Sequence, residues 1–167
     1  MKRHLPRLLG QLFLAARCVA GGIAIARLAR AAFAAPPVRP TMTPAQSISV
    51  VIPARDEARR IGPVLASMVG APGVDEVLVV DDQSTDDTAD VARGAGAVVV
   101  TGASLPDGWA GKAWALQQGI EAASSEWILT LDADTNPDPR LPRALVSRAM
   151  AEQLDLLTVS GRFDCPT

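Results

Sequence analysis

The sequence has a single histidine, His4, and none from residue 47 onward. That excludes a Ser/His/Asp triad and a histidine-based zinc site within the main body of the chain. Cysteine is almost as scarce: Cys18 and Cys165 lie far apart, which supports neither a disulfide framework nor a CxxC metal site and leaves reduced thiols in a cytosolic setting as the default. Acidic residues are missing from the first 46 positions, which hold 7 of the 16 Lys and Arg. The remainder carries 9 basic against 18 acidic residues, a net charge of about −9. A nucleic-acid partner needs a basic face, so nucleic acid is excluded as a partner. Any catalysis must rest on carboxylates, a metal ion and Lys or Arg.

Long apolar runs are absent too. In the arm, Leu5 to Phe33, the longest charge-free stretches are Leu8–Ala16 and Cys18–Ala26, nine residues each, where a bilayer crossing takes roughly 20. Arg17 sits between them and roughly balances the insertion energy of the surrounding Leu, Ile, Phe and Val. A marginal transmembrane helix, an interfacial helix and a signal peptide all fit this arm. Membrane attachment of some kind is the expectation for residues 1–34, with the domain facing the cytoplasm. Pro36, Pro37, Pro40 and Pro44 make residues 35–46 an extended linker, and residues 47–167 form one domain, long enough to bury a core.

Within that domain short apolar runs alternate with helical segments of about ten residues. Strands are expected at Ile48–Ile52, Val77–Val80, Ala97–Val100, Trp127–Leu131 and Leu156–Val159. Helices are expected near Arg60–Val69, Thr85–Arg93, Lys112–Ala123 and Leu141–Glu152. This alternation predicts an α/β fold with a mostly parallel, Rossmann-like sheet, preceded by the apolar basic helix of the arm. Trp127–Leu131 shows no apolar/polar alternation, as in a strand buried on both faces.

The polar clusters fall where those strands end. Asp132 and Asp134 close the fourth strand, and their i, i+2 spacing on extended chain sends both carboxylates the same way. Two such charges side by side suit a cation or a set of donors, although Asp and Asn are also ordinary turn residues. Pro53-Ala54-Arg55-Asp56-Glu57 stops the first strand, and a favourable helix-dipole charge accounts equally well for Asp56 and Glu57. Asp81 and Asp82 follow the second strand, where a carboxylate can accept from a ribose hydroxyl or a base N–H. Beyond them Ser84 and Asp87 read as a capping-box-like pair. Gly108, Gly111 and Lys112 precede a helix in a way that suits a phosphate. Pro106 and Ala113 rule out a Walker A loop. Trp109 can stack on a ligand or pack on the domain.

Taken together, Val51-Ile52-Pro53-Ala54-Arg55-Asp56-Glu57, Val80-Asp81-Asp82 with the polar run to Thr88, Gly111-Lys112 with Ala115 and Gly119, and Asp132-Ala133-Asp134 resemble a family 2 glycosyltransferase with the nucleotide-sugar-binding GT-A fold. The segment from Leu105 to Lys112 and the run from Leu154 to Thr158 resemble more narrowly the membrane-associated glycosyltransferases linked to hopanoid and carotenoid biosynthesis. The resemblance implies a nucleotide-sugar donor, a UDP-sugar by preference, bound through Pro53, Ala54, Glu57, Asp81, Asp82, Lys112 and Asp132. It implies Mn2+ or Mg2+ held by Asp134 and Asp132 as the family's DXD motif. It implies inverting transfer to a lipid-like or isoprenoid acceptor. No acidic pair or Arg-Trp motif follows the DXD segment before Thr167, so the general base is expected beyond the end of this chain and the domain reads as a truncated, donor-binding half. The alternatives are a membrane-attached module that binds a nucleotide sugar without catalysis, and a sugar nucleotidyltransferase. The latter requires a Gly-rich basic loop after the first strand that this sequence lacks.

Overall fold

The computed structural model describes residues 46–160. The arm at 1–34, the linker except Gln46 and the last seven residues of the domain lie outside the described residues, and with them every expectation about membrane attachment. No helix among the described residues is long and apolar enough to cross a membrane.

Among the described residues eight elements alternate: β1 (Ile48–Ala54), α1 (Gly62–Met68), β2 (Val74–Asp81), α2 (Thr88–Gly94), β3 (Val98–Thr101), α3 (Gly111–Ala122), β4 (Trp127–Thr130) and α4 (Leu141–Glu152). The four strands form one parallel sheet in the order β3-β2-β1-β4. The chain therefore builds outward from β1 through β2 to β3, then returns to the other side of β1. That reversal between β1 and β4 is the kind of switch point at which open α/β sheets place their ligand crevice, outside the carboxyl ends of the strands.

Successive side chains on β1 and β2 point to opposite faces, and both faces are covered. Val50, Ile52, Val77 and Val79 pack with Ile61, Val64, Leu65, Met68 and Ala92 from the α1 and α2 side. Val51, Leu78 and Val80 pack against Ala115 of α3. Gly119 lets α3 lie close to the sheet: a Cβ there would overlap Val51 Cγ1 and stand 2.8 Å from Val80 Cγ2. A helix packed this tightly fixes the position of its own N-terminus, and Lys112 with it.

Three features differ from the sequence expectation. Residues 156–159 form no strand, and Leu156 is 82 % exposed; a short apolar run becomes a strand only where an edge accepts its backbone bonds. Second, β4 is an edge strand of alternating half-buried and exposed residues, with Ile128 exposed, instead of a strand buried on both faces. Its apolar composition records side-chain chemistry, whereas burial depends on what lies beside it. Third, α2 begins at Thr88 without a side-chain cap, and Ser84 and Asp87 do not form a capping pair. Ser84 is engaged elsewhere, as described below.

Candidate active site

The carboxyl ends of β1, β2 and β4 and the start of α3 surround a cavity of about 380 Å³, a volume within the ordinary range for small-ligand sites. Pro53, Ala54, Glu57, Asp82, Lys112, Asp132 and Asp134 all line it. Their sequence separation is large, and the parallel sheet accounts for the convergence: each segment follows a strand that ends on the same side. Arg55, Ala115 and Ala133 also line the cavity; each belongs to a motif that carries the family resemblance, but none was given a binding role from the sequence.

Asp81 is placed differently from its neighbour. It does not line the cavity; its Oδ1 accepts from the Ser84 N–H at 3.2 Å, and its carbonyl accepts from the amides of Gln83 and Gly102. Adjacent residues on extended chain point to opposite sides, so only one of the two aspartates can face the crevice. Asp82 does so. Its Oδ2 lies 3.9 Å from Arg55 Nη1, and it lies close to the start of α3, where a Cβ on Gly111 would stand 3.3 Å from Asp82 Oδ2.

Glu57 is paired with Arg60: Arg60 Nη2 donates to its Oε1 at 3.0 Å, and Arg60 Nε lies 2.8 Å from the buried Oε2 in an ion-pair contact outside hydrogen-bond geometry.

Across the cavity Lys112 Nζ pairs with Asp132 Oδ1 at 2.6 Å. Asp132 and Asp134 flank the buried Ala133 and are themselves exposed, which agrees with both carboxylates emerging on one side. The turn is fixed from below, because Asp132 O accepts from both the amide and the hydroxyl of Thr135. Two aspartates are hard oxygen donors suited to Mn2+ or Mg2+. Among the described residues there is no group of three side chains able to ligate a metal, so these two fit an ion whose other positions are taken by phosphate oxygens and water, as is usual for Mg2+ at a nucleotide. The donor set therefore fits the implied metal.

Trp109 is 43 % exposed and meets Trp114 edge to face, ring centroids 5.2 Å apart. Trp114 Nε1 donates to Ala103 O, and the Ala103 amide donates to Gln118 Oε1. The loop between β3 and α3 is thus tied to α3, and Trp109 packs on the domain instead of lining the cavity.

The sequence profile of glycosyl transferase family 2 matches residues 49–164. The chain belongs to this family. Among its relatives, 4,4'-diaponeurosporenoate glycosyltransferase of Staphylococcus aureus (strain bovine RF122 / ET3-1) is 43% identical over 90 residues, which are 53% of this chain and 24% of that protein. Two crystal structures of glucosyl-3-phosphoglycerate synthase from Mycobacterium tuberculosis, one in complex with Mn2+ and UDP-glucose and one with Mg2+ and UDP, match with a TM-score of 0.56. Each is 32% identical and covers 65% of this chain and 44% of the other. The match spans about a quarter of the length of the curated relative and under half of these solved chains. The α/β fold with its parallel sheet is thus shared with these solved glucosyl-3-phosphoglycerate synthase chains, which hold UDP-glucose or UDP together with a divalent metal.

Proposed function

We propose that this domain binds a UDP-sugar together with Mn2+ or Mg2+ and forms the donor side of a glycosyltransferase acting on a lipid-like acceptor. The observation that carries the reading is the convergence of Glu57, Asp82, Lys112, Asp132 and Asp134 on one cavity at the switch point of the sheet. Solved relatives with UDP-glucose and UDP support the donor class. The carotenoid-acid substrate in the name of the staphylococcal relative supports an apolar acceptor.

The division of labour follows from the placement. The carboxylates of Glu57 and Asp82 accept hydrogen bonds from the ribose hydroxyls or the base N–H groups of the nucleoside. Lys112, held at the start of α3, brings positive charge to the diphosphate. Asp132 and Asp134 hold the divalent ion at the diphosphate side, and the ion, when bound, neutralises the charge that develops as the nucleoside diphosphate leaves. Preorganised charge in a fixed cavity lowers the barrier because the transition state carries more negative charge on the leaving oxygen than the ground state does. An acceptor hydroxyl or carboxylate then attacks the anomeric carbon from the opposite side as that carbon's bond to the diphosphate oxygen breaks, which inverts it; the nucleoside diphosphate leaves, and a hydroxyl acceptor gives its proton to a general base. The N-terminal arm, basic and apolar, attaches the domain to the membrane on its cytoplasmic side, where a lipid-like acceptor is at hand.

Equilibrium dialysis of the full chain against labelled UDP-glucose, GDP-mannose and ATP in the presence of Mn2+ tests this. Retention of UDP-glucose, competed by UDP and not by ATP, is the expected result. Equal retention of all three, or of none by folded protein, contradicts it.

A further inference from the structure

We infer that Asp56, which does not line the cavity, is a positioning residue for the nucleotide side of the site. It acts through a clasp between the loop after β1 and the loop after β2. The inference rests on the nucleotide reading above and goes beyond it, because Asp56, Ala58, Ser84, Thr85, Asp86 and Thr88 do not line the cavity and Glu57 enters the clasp only through its backbone amide.

The clasp is a reciprocal set of hydrogen bonds across 28 to 31 residues of sequence. Asp56 N donates to Ser84 Oγ at 3.0 Å, Glu57 N to Thr88 Oγ1 at 2.9 Å and Ala58 N to Asp86 Oδ2 at 3.2 Å. In the other direction the amide and the hydroxyl of Thr85 both donate to Asp56 Oδ1, at 2.7 and 3.1 Å. Three successive amides of the first loop thus find their acceptors on the second, and the second finds its acceptor on Asp56. Thr88 is fully buried and donates its hydroxyl to Asp86 Oδ1, which ties the far end of the clasp to the core. The bonds to Asp86 from Thr88 and from the Ala58 amide hold its carboxyl below the ordinary aspartate range.

Two backbone conformations show that the clasp constrains the loops. Asp56 and Gln83 both have positive φ, 54° and 58°, in the left-handed region where Asp and Asn are among the few tolerated side chains. Sparsely populated conformations persist where the surroundings over-determine them. The site residues stand beside these points. Glu57, which lines the cavity, follows Asp56 directly. Asp82 precedes Gln83, and its own amide donates to Ala54 O at 2.9 Å, the last tie between β1 and β2 before the clasp begins. The distance between the Glu57 and Asp82 carboxylates is therefore set by bonds that neither carboxylate makes. Helix-dipole charge, the bland account of Asp56, does not explain why its carboxylate is directed at the Thr85 amide.

The test pairs calorimetric titration of UDP in the presence of Mn2+ with amide exchange of the ligand-free full chain, in wild type, Asp56→Ala and Asp56→Asn. Asp56→Ala is expected to weaken UDP binding roughly tenfold, about one lost hydrogen bond, and to expose the Thr85 amide to exchange. Asp56→Asn retains both the acceptor oxygen and the tolerance of positive φ, and stays within about twofold of wild type in affinity. Asp56→Ala with unchanged affinity overturns the inference, whatever happens to its melting temperature, because a merely structural residue lowers stability alone. Asp56→Asn as weak as Asp56→Ala also overturns it, since that outcome points to charge. If Asp56→Ala does not fold, Ser84→Ala removes only the acceptor of the Asp56 amide. An affinity reduced about threefold supports the clasp and an unchanged one overturns it. Wild-type protein that protects the Thr85 amide yet binds no UDP overturns the nucleotide reading, and the positioning role falls with it.

Discussion

At the amino end of the sheet Glu76 Oε1 accepts from Ser49 Oγ at 2.6 Å and from both the amide and the hydroxyl of Ser124 at 2.8 Å. Ser49 Oγ in turn accepts from the Ser125 amide. At the carboxyl end Asp132 has one side-chain partner, Lys112, and Glu57 is held only by Arg60. Both clusters contain a carboxylate near a strand end, so the presence of one does not separate them. What separates them is whether the protein itself completes the hydrogen bonds: where it does, the cluster locks one chain connection to another, and where it does not, the remaining capacity is available to a ligand. By the same contrast, altering the amino-end cluster is expected to cost stability, and altering the carboxyl-end cluster to cost little.

The contrast can be broken from the scaffold side. Gly119→Ala places a methyl group against Val51 and Val80, so the chain should lose about 2 kcal/mol of stability through overpacking. The fraction that remains folded should bind UDP with reduced affinity only as far as α3 and Lys112 shift. Chemical denaturation and calorimetry on the same preparation measure the two quantities separately. A wild-type melting profile would mean that α3 does not sit as close to the sheet as described.

A smaller effect is expected at Glu76. Its hydrogen bond from Ser49, then the Ser124 amide, hold its carboxyl below the ordinary glutamate range, against the opposing effect of burial. Glu76→Ala should cost about 1 kcal/mol at neutral pH, discounted because the carboxylate is partly solvated. A carboxyl group with a depressed folded-state pKa contributes stability that is present above its unfolded pKa and is lost as pH falls through the folded value. The gap between wild type and variant should therefore narrow only below the ordinary glutamate range, and UDP affinity should be the same in both. A gap that widens on acidification would show that Glu76 does not stabilise the fold through its charged form.

Much of this division was legible in the sequence because β1 and β2 each contain an unbroken apolar run, Val50–Ile52 and Val77–Val80, and each ends in a polar cluster; the sheet, its parallel sense and the grouping of Glu57, Asp82, Lys112, Asp132 and Asp134 follow from that pattern. The amino-terminal start of β2 at Val74 was less visible, since Asp75 and Glu76 break the apolar run, and Glu76 is polar for the sake of Ser49 and Ser124, distant in sequence. The edge position of β4 and the irregular path of residues 154–160 were not visible, because strand burial is decided by neighbours. Asp81 and Asp82 were indistinguishable by type, and only the alternation of side chains at the end of β2 assigns one to the cavity and the other to the Ser84 amide. Asp56 was read as a helix-start charge; its bonds to Thr85 link loops that the sequence keeps 29 residues apart.

The most direct test of the central claim is a calorimetric titration of the full chain with UDP-glucose, with and without Mn2+, in wild type and Asp134→Ala. Binding that needs the metal and weakens roughly a hundredfold in Asp134→Ala, with an unchanged melting temperature, is the predicted result. Equal binding by both proteins, or binding indifferent to Mn2+, would contradict the assignment of this cavity as a metal-dependent donor site.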